Sequence, residues 1–243
     1  MTTKPFGGKS YGSIGHFPTS RLGPGDHKIA DGQARILTER ARDRHDLIIV
    51  QEKLDGSNVG VGKMGGVIIP VSRAGWRAET SPYAQHHLFA SWVAQNWGRF
   101  NDLLAEGERI CGEWMAQAHG TRYALWHTPF VAFDLFRDGK RILWEELSAR
   151  CDDAMIPTPS VLHRGGPCSI ETAMERLGVH GHHGAIDKAE GAVWRCERKG
   201  CVDFLGKFVR PDKVDGIYLP ELSGHDPVWN WQPSQPTQQA LGL

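Results

Sequence analysis

Residues 48–59 restrict the fold of this chain more than any other segment. They read Ile-Ile-Val-Gln-Glu-Lys-Leu-Asp-Gly-Ser-Asn-Val, so an apolar run leads into Lys-x-Asp-Gly and then into a second strand-like run. A lysine between two strands of a sheet, with a carboxylate two residues later, suits attack on a phosphate better than solvation at a surface. If Lys53 is such a nucleophile, the chain must also supply cations for phosphate, carboxylates for metal and ribose, and an aromatic surface for a base.

The charge of Lys53 is the first obstacle to this chemistry. An ordinary lysine pKa of about 10.4 means that removing its proton at pH 7 costs about 4.6 kcal/mol. Burial or nearby positive charge lowers that cost, and we expect Arg73, Lys207 or a bound metal to provide the charge. Lys-x-Asp-Gly alone also fits an ordinary ion pair between Lys53 and Asp55.

Hydrophobic periodicity predicts a mixture of strands and a few helices. Gly65-Gly66 and Asp138-Gly139 mark two hairpin turns, and Ser169 is a predicted helix cap. The apolar stripe within residues 81–104, which includes Trp92 and Trp97, is interpreted as core-facing. Strands are predicted over residues 46–50, 58–63, 67–73, 109–115, 130–136, 141–144, 191–196 and 202–209, and helices over residues 33–46, 81–104, 145–151 and 169–177.

Length and composition favour one domain without a membrane segment. The chain has 243 residues, with 1–45 interpreted as a loop-rich N-terminal extension and 220–243 as a surface tail. The formal net charge is zero, so contact with nucleic acid requires a local basic patch. Five cysteines without a framework spacing, and no apolar N-terminal segment, predict a cytoplasmic protein with reduced thiols. A monomer is favoured.

Charged residues embedded in apolar strands point to a shared polar cleft. Glu113 and Asp134 lie within predicted strands, Glu190 directly precedes one, and Lys207 lies in the last. Such residues are costly to bury unless they are paired or bind a ligand. Together with Lys53, we expect them to meet at one site.

The same segments resemble the motifs of the covalent nucleotidyltransferase superfamily of polynucleotide ligases and capping enzymes, and within it the RNA ligase 2-like branch. The similarity runs in order from Glu52 to Arg210. The matching segments are Lys53-Leu54-Asp55-Gly56 with Ser57-Asn58 for motif I, Arg73 for motif Ia, Gly112-Glu113 for motif III, Phe133-Asp134 for motif IIIa, Glu190-Gly191 for motif IV and Lys207 for motif V.

The resemblance implies a role for each of these residues. Lys53 would attack the α-phosphate of ATP, release pyrophosphate and hold AMP as a phosphoramidate. AMP would then pass to an RNA 5′-phosphate, and a 3′-hydroxyl would displace it. The implied roles are ribose contact by Glu113, adenine stacking by Phe133, phosphate neutralisation by Arg73 and Lys207, nucleotide contact by Asn58 and Glu52, Mg²⁺ (or Mn²⁺) binding by Glu190 and Asp55, and orientation of the lysine by Asp55.

Two departures from the family pattern affect this interpretation. Lys207 is followed by Phe208-Val209-Arg210, where the branch has a second lysine, and whether Arg210 replaces it stays open. The residues after motif V are too few for the OB-fold domain of DNA ligases. We expect the N-terminal section to supply cations near pyrophosphate, with Arg21 and Lys28 as candidates, although an ordinary surface loop fits equally well.

Two polar segments lie outside the motifs. Residues 180–183 contain three histidines without further ligands at zinc spacing, which favours a solvated loop. His119 and Arg122 follow motif III and either touch RNA phosphate or form structural pairs.

The sequence therefore predicts an α+β fold in which antiparallel sheets form a nucleotide cleft with flanking helices. The expected function is ATP-dependent ligation of RNA 5′-phosphate and 3′-hydroxyl ends. The alternatives are a capping-type guanylyltransferase, a DNA-nick ligase, and a nucleotide- or RNA-binding module without catalysis. The sequence does not identify the RNA, whether nicked duplex, tRNA break or single strand.

Overall fold

The computed structural model describes residues 3–233 of the chain, which form two sheets with helices packed around them. The strands are β1 (Gly15–His16), β2 (Asp46–Lys53), β3 (Ser57–Met64), β4 (Val67–Ser72), β5 (Arg109–Trp114), β6 (Phe130–Arg137), β7 (Lys140–Arg141), β8 (Val161–Gly165), β9 (Gly191–Arg198) and β10 (Cys201–Val209). The α-helices are α1 (Asp31–Thr38), α2 (Ala84–Gln95), α3 (Trp97–Leu103), α4 (Trp144–Asp153), α5 (Ile170–Leu177) and α6 (Pro220–Ser223).

The first sheet has the strand order β1-β10-β9-β2-β8 and is antiparallel except for the short β1–β10 pair. Strand β9 lies between β2 and β10. In its register Lys53 is opposite Gly191, and Lys207 is opposite Val193. The strand pairing thus places both lysines close to Glu190, the residue that precedes β9.

The second sheet has the order β4-β3-β5-β6-β7 and is antiparallel throughout. The short 54–56 turn after Lys53 connects β2 of the first sheet to β3 of the second. Asn58 on β3 is opposite Glu113 on β5. The expected α+β fold with antiparallel sheets is confirmed.

Apolar side chains from the two faces of β2 enter separate hydrophobic clusters. Ile48 and Val50 pack with Trp194 in one cluster, and Ile49 packs with Trp114 in the other. Successive side chains of a strand point to opposite faces, so burial on both faces requires the uninterrupted apolar run seen in the sequence. This run fixes the strand that carries Lys53 in the middle of the molecule.

The predicted elements differ from the structure mainly at their ends. The helix expected over residues 33–46 is α1 (Asp31–Thr38), and that expected over 81–104 is divided at Asn96. Trp97 begins the second part and is 50% exposed, so its assignment to the core was wrong, whereas Trp92 is buried. Sequence periodicity missed β8, a strand at the edge of its sheet. The Ser169 cap is confirmed, since its hydroxyl accepts a hydrogen bond from Thr172 N at 3.2 Å.

The C-terminal segment contacts the loop that follows β5. Ala118 N donates to Val228 O at 2.8 Å, and Asn230 N donates to Ala116 O at 2.8 Å. The predicted tail at 220–243 is described only to residue 233, and its last ten residues lie outside the described part. Among the helices of residues 3–233, each is too short or too polar to cross a bilayer.

Candidate functional site

A cavity of about 800 Å³ opens between the two sheets beside Lys53. The sheets contribute different side chains to it, and a second cavity of about 150 Å³ adjoins it on the side of Glu190. The structure therefore brings together the predicted site residues from six sequence segments. Those lining the larger cavity are Glu52, Lys53, Asp55, Asn58, Arg73, Glu113, Phe133 and Lys207. Those lining the smaller one include Lys53, Glu190 and Lys207.

Lys53 at the end of β2 forms an ion pair with Glu190, with 2.7 Å between Nζ and Oε2. Burial alone would lower the pKa of the lysine, but the carboxylates of Glu190, Glu113 and Asp55 outweigh it and raise the pKa above the ordinary value. The expectation that the surroundings lower this pKa was wrong for the protein without nucleotide. The amine is held here as an ammonium ion.

Lys207 provides positive charge on the adjacent strand. Its Nζ lies 3.6 Å from Asp26, which also pairs with His16 at 3.0 Å. Burial and the neighbouring Lys53 charge lower the pKa of Lys207. Lys53 and Lys207 are thus close enough to interact electrostatically, as binding of one anionic ligand by both would require.

The second sheet contributes Asn58 and Glu113 from adjacent strands. Glu113 Oε1 accepts a hydrogen bond from Gly56 N at 3.0 Å, and burial raises the pKa of its carboxyl to about 7. The Oδ1 atom of Asn58 is buried without a hydrogen-bond partner among the described residues. A side chain at Gly56 would place its Cβ 2.5 Å from Trp114 O, so glycine is required for this close approach. The Asn58 amide oxygen is therefore available to accept a hydrogen bond from a ligand in this nucleotide-sized cavity.

Phe133 and Asp134 are neighbours in β6, and both line the larger cavity. The Phe133 ring is half-buried at the cavity and packs edge-on against Tyr11, 5.0 Å between centroids. Both carboxylate oxygens of Asp134 are paired. Its Oδ1 lies 2.6 Å from Nη1 of the buried Arg195, and its Oδ2 lies 2.8 Å from Nε of the partly buried Arg141. Asp134 thus lies at the predicted cleft, but both of its carboxylate oxygens are already bonded.

The remaining predicted cations lie in different surroundings. Arg73 is exposed at the larger cavity, and Arg21 lines the smaller one while pairing with Asp215. Lys28 lies outside the lining of both cavities. Arg210 donates to Asp212 at 2.6 Å and to backbone carbonyls, so its guanidinium is directed away from both.

His119 and Arg122 follow Glu113 into the next loop. His119 lines the larger cavity and hydrogen-bonds Gln85 at 3.1 Å, whereas Arg122 forms an ion pair with Asp187 at 2.9 Å. Of the two open interpretations, structural pairing fits Arg122.

The histidine-rich loop at 180–183 is only partly solvated. His183 is 3% exposed and lies 2.9 Å from the ring of His127, while its Nε2 accepts from Ser160 N at 3.2 Å. The interpretation as a solvated loop was wrong for His183. Within residues 3–233, no group of three or more His, Cys, Asp or Glu side chains has the arrangement of a metal centre.

Three residues near Lys53 were missed by sequence reasoning. Lys213 is buried and lies 2.5 Å from Asp55. Tyr123 Oη accepts a hydrogen bond from Asp55 N at 3.1 Å. His86 on α2 hydrogen-bonds Ser57 at 2.8 Å. His86 and Lys213 lie outside the motifs in sequence, and Tyr123 directly follows Arg122 without a motif of its own.

Solved structures of a Naegleria gruberi RNA ligase have a similar fold. A Naegleria gruberi RNA ligase mutant with ATP and Mn aligns with a TM-score of 0.53 and 16% identity, over 83% of this chain and 60% of that chain. The Naegleria gruberi RNA ligase with PPi gives 0.50 and 18%, over 89% and 63%. A putative ATP-dependent DNA ligase from Aquifex aeolicus gives 0.49 and 17%, over 82% and 49%. This chain thus spans about half to three fifths of the length of these solved chains.

Sequence comparison assigns the family. A comparison with curated protein sequences found no significant match. The sequence model of the RNA ligase family, however, matches residues 46–209, which contain both sheets except for the short strand β1. Because that match covers most of the chain, this protein belongs to the RNA ligase family.

Proposed function

We propose that the protein is an ATP-dependent RNA ligase that acts through a covalent Lys53–AMP intermediate. The observation that carries this proposal is the position of Lys53, whose amine lies in a nucleotide-sized cavity against Glu190 and beside Lys207. The solved ligases of similar fold include a form with ATP and Mn and a form with PPi; ATP is the substrate and PPi the product of such a step.

The second sheet would hold the nucleoside. Phe133 offers a ring at the cavity for stacking on adenine. Glu113 has one oxygen bonded to Gly56 N and a second available to ribose, and Asn58 has an unpartnered acceptor. Glu52 is buried at the same cavity with Oε1 unpartnered, so it has capacity for one more hydrogen bond.

Residues of the first sheet would carry out the transfer of AMP to Lys53. The Lys53 ammonium first loses a proton to solvent; the neutral amine then forms a bond to the α-phosphorus, the bond from that phosphorus to the pyrophosphate oxygen breaks, and the second proton leaves the nitrogen to solvent. Because Glu190 holds the ammonium form, binding of nucleotide must separate this ion pair before attack. Lys207 and Arg73 would neutralise the phosphate charge during the transfer.

The residues present suit a metal bound mainly through substrate. Mg²⁺ commonly uses one or two carboxylates together with phosphate oxygens and waters, rather than a cage of side chains. Glu190 and Asp26 line the smaller cavity beside Lys53, and Asp55 lies on the other side of the lysine. Glu190 is the proposed ligand, with Asp55 contributing through water; Mg²⁺ or Mn²⁺ would supply charge neutralisation at the phosphates.

The later steps require RNA. AMP passes from Lys53 to an RNA 5′-phosphate, and attack by a 3′-hydroxyl on that phosphate releases AMP and forms the phosphodiester bond. Arg21 is proposed to contact pyrophosphate, because it lines the smaller cavity beside Lys53 and Lys207. R21A that leaves lysine adenylylation unchanged would remove this role.

Incubation with radiolabelled ATP or GTP and Mg²⁺, without RNA, tests the central proposal. A covalent label from ATP is expected. A label from GTP alone would instead favour a capping-type enzyme, and no label from either would favour a binding module. A panel of 5′-phosphorylated RNA and DNA strands, nicked and single, then distinguishes RNA ligation from sealing of DNA nicks.

A further inference from the structure

Lys213 is a buried cation with two close partners. Its side chain is 2% exposed, and Nζ lies 2.5 Å from Asp55 Oδ2 and 2.5 Å from Thr121 Oγ1. A buried ammonium is stable only when it is paired and hydrogen-bonded, and here both conditions are met. Lys213 lies in a loop beyond β10 and is outside the lining of both cavities. Among the residues that line the larger cavity, Asp55 is the one with which Lys213 forms an ion pair.

Asp55 is fixed from several sides by groups outside motif I. Its Oδ2 also accepts from Gly120 N at 2.9 Å, and its own N donates to Tyr123 Oη at 3.1 Å. The space is tight, since a Cβ at Gly120 would lie 2.9 Å from Lys213 Nζ and 2.5 Å from Val214 O. The carboxylate thus has a single well-defined position.

The alternative partner for Asp55 is the nucleophile two residues earlier. Lys53 and Asp55 are close enough for each to shift the pKa of the other. The observed pairing divides the acids, with Glu190 next to Lys53 and Asp55 next to Lys213. If Lys213 were neutral, Asp55 would be a buried anion whose remaining neighbours able to carry positive charge are Lys53 and His119.

We infer that Lys213 is a positioning residue for lysine adenylylation. It forms an ion pair with the Asp55 carboxylate, so that the Lys53 amine is free to leave Glu190 and reach the α-phosphorus. This inference rests on the proposed function. Without Lys213, the amine would be drawn toward Asp55. A displacement of about 1 Å can lower a reaction rate on the order of 10²-fold.

The test separates the steps that need the free amine from one that does not. K213M is expected to lower the rate of labelling by ATP about 10- to 100-fold with little change in the KM for ATP. Joining of RNA that already carries a 5′-linked AMP should stay within about threefold of wild type, because Lys53 does not attack in that step. In the D55N background, K213M should change the labelling rate less than about twofold, since no unpaired carboxylate remains.

Controls keep the outcomes distinct. K188M removes an exposed lysine that pairs with Asp212 at 3.0 Å, and it should behave as wild type. K213Q keeps hydrogen-bonding capacity without charge, and it should reproduce K213M if charge is the cause. Equal losses in both steps, a loss unaffected by D55N, or unfolding of both variants at the assay temperature would overturn the inference in favour of a purely structural role. Absence of label in the wild type would instead contradict the proposed function.

Discussion

Two groups of buried carboxylates in this protein differ in how completely their oxygens are hydrogen-bonded. Asp134 has both oxygens bonded, to Arg195, Arg141 and Tyr11, and we refer to these four residues as the Asp134 network. Glu52 and Glu113, the cleft acids, lie at the cavity with one hydrogen bond each from backbone N–H groups. Burial acts to raise the pKa of all three carboxyls.

The outcome of that burial differs between the groups. In the Asp134 network the two arginines outweigh burial, and the pKa of Asp134 is lowered. In the cleft acids burial prevails, and the pKa values of Glu52 and Glu113 are about 7. Buried charge that is fully paired supports the fold, whereas buried polar groups with missing partners are available to a ligand.

Breaking the Asp134 network should have the largest effect on stability. D134N removes the Asp134 carboxylate from Arg141 and from Arg195, which is 0% exposed and keeps the Glu197 carboxylate at 2.9 Å. This should lower the free energy of unfolding by about 3–5 kcal/mol. Denaturant unfolding measures the change. D203N, at an exposed pair with Arg42, is the control and should change it by less than about 1 kcal/mol. Equal effects of the two substitutions would contradict the distinction.

Removing the acid that pairs with Lys53 should affect the reaction more than the fold. E190Q should lower lysine labelling by ATP about 10²-fold or more, because charge at the reaction centre is lost. Its unfolding free energy should fall by less than about 2 kcal/mol. E171Q, on the exposed start of α5, is the control. A variant that is severely unfolded yet fully active per folded molecule would place Glu190 in the structural group.

Neutralising a cleft acid should stabilise the protein at high pH. The folded pKa of Glu52, about 7, exceeds its ordinary value of 4.5, so the folded protein keeps a proton that the unfolded chain releases as pH rises through this window. Glu52 therefore lowers stability above pH 7, by about 3 kcal/mol. E52Q should unfold at higher denaturant than wild type at pH 8 and similarly at pH 4. If the difference in stability between E52Q and wild type did not change with pH, the Glu52 carboxylate would already be stabilised by its partners in the folded protein.

The smallest expected effect concerns the ring at the cavity. F133L keeps an apolar side chain but removes the stacking surface, and it should weaken ATP binding by about 1–1.5 kcal/mol, which raises the KM for ATP roughly 5- to 13-fold with little change in kcat. F136L is the matched control, because Phe136 also packs on Tyr11 but lies outside the cavity lining. Equal KM changes in both variants would show that stacking is not the cause.

Local sequence was sufficient for the parts of the fold and site that depend on periodicity and motif order. The apolar run before Lys53 predicts a strand buried on both faces, and the segments around Glu113, Phe133 and Glu190 were assigned to strands that do meet at the cavity. The grouping of embedded acids also placed Asp134 at this cavity, but the ion pairs that fix its carboxylate were not predicted.

The contacts that the sequence could not predict join residues far apart in the chain. Lys213 reaches Asp55 across 158 positions, and Arg195 reaches Asp134 across 61. Nothing near Lys213 distinguishes it from a surface lysine. The charge state of Lys53 was also beyond local reasoning, because it depends on how close Glu190 approaches in the folded sheet.

The most direct test is to locate the nucleotide on the protein. After incubation with ATP and Mg²⁺ and removal of free nucleotide, peptide mapping by mass spectrometry should find one AMP attached to Lys53. K53M should carry none while remaining folded. AMP on a different residue, or undiminished labelling of K53M, would contradict the account.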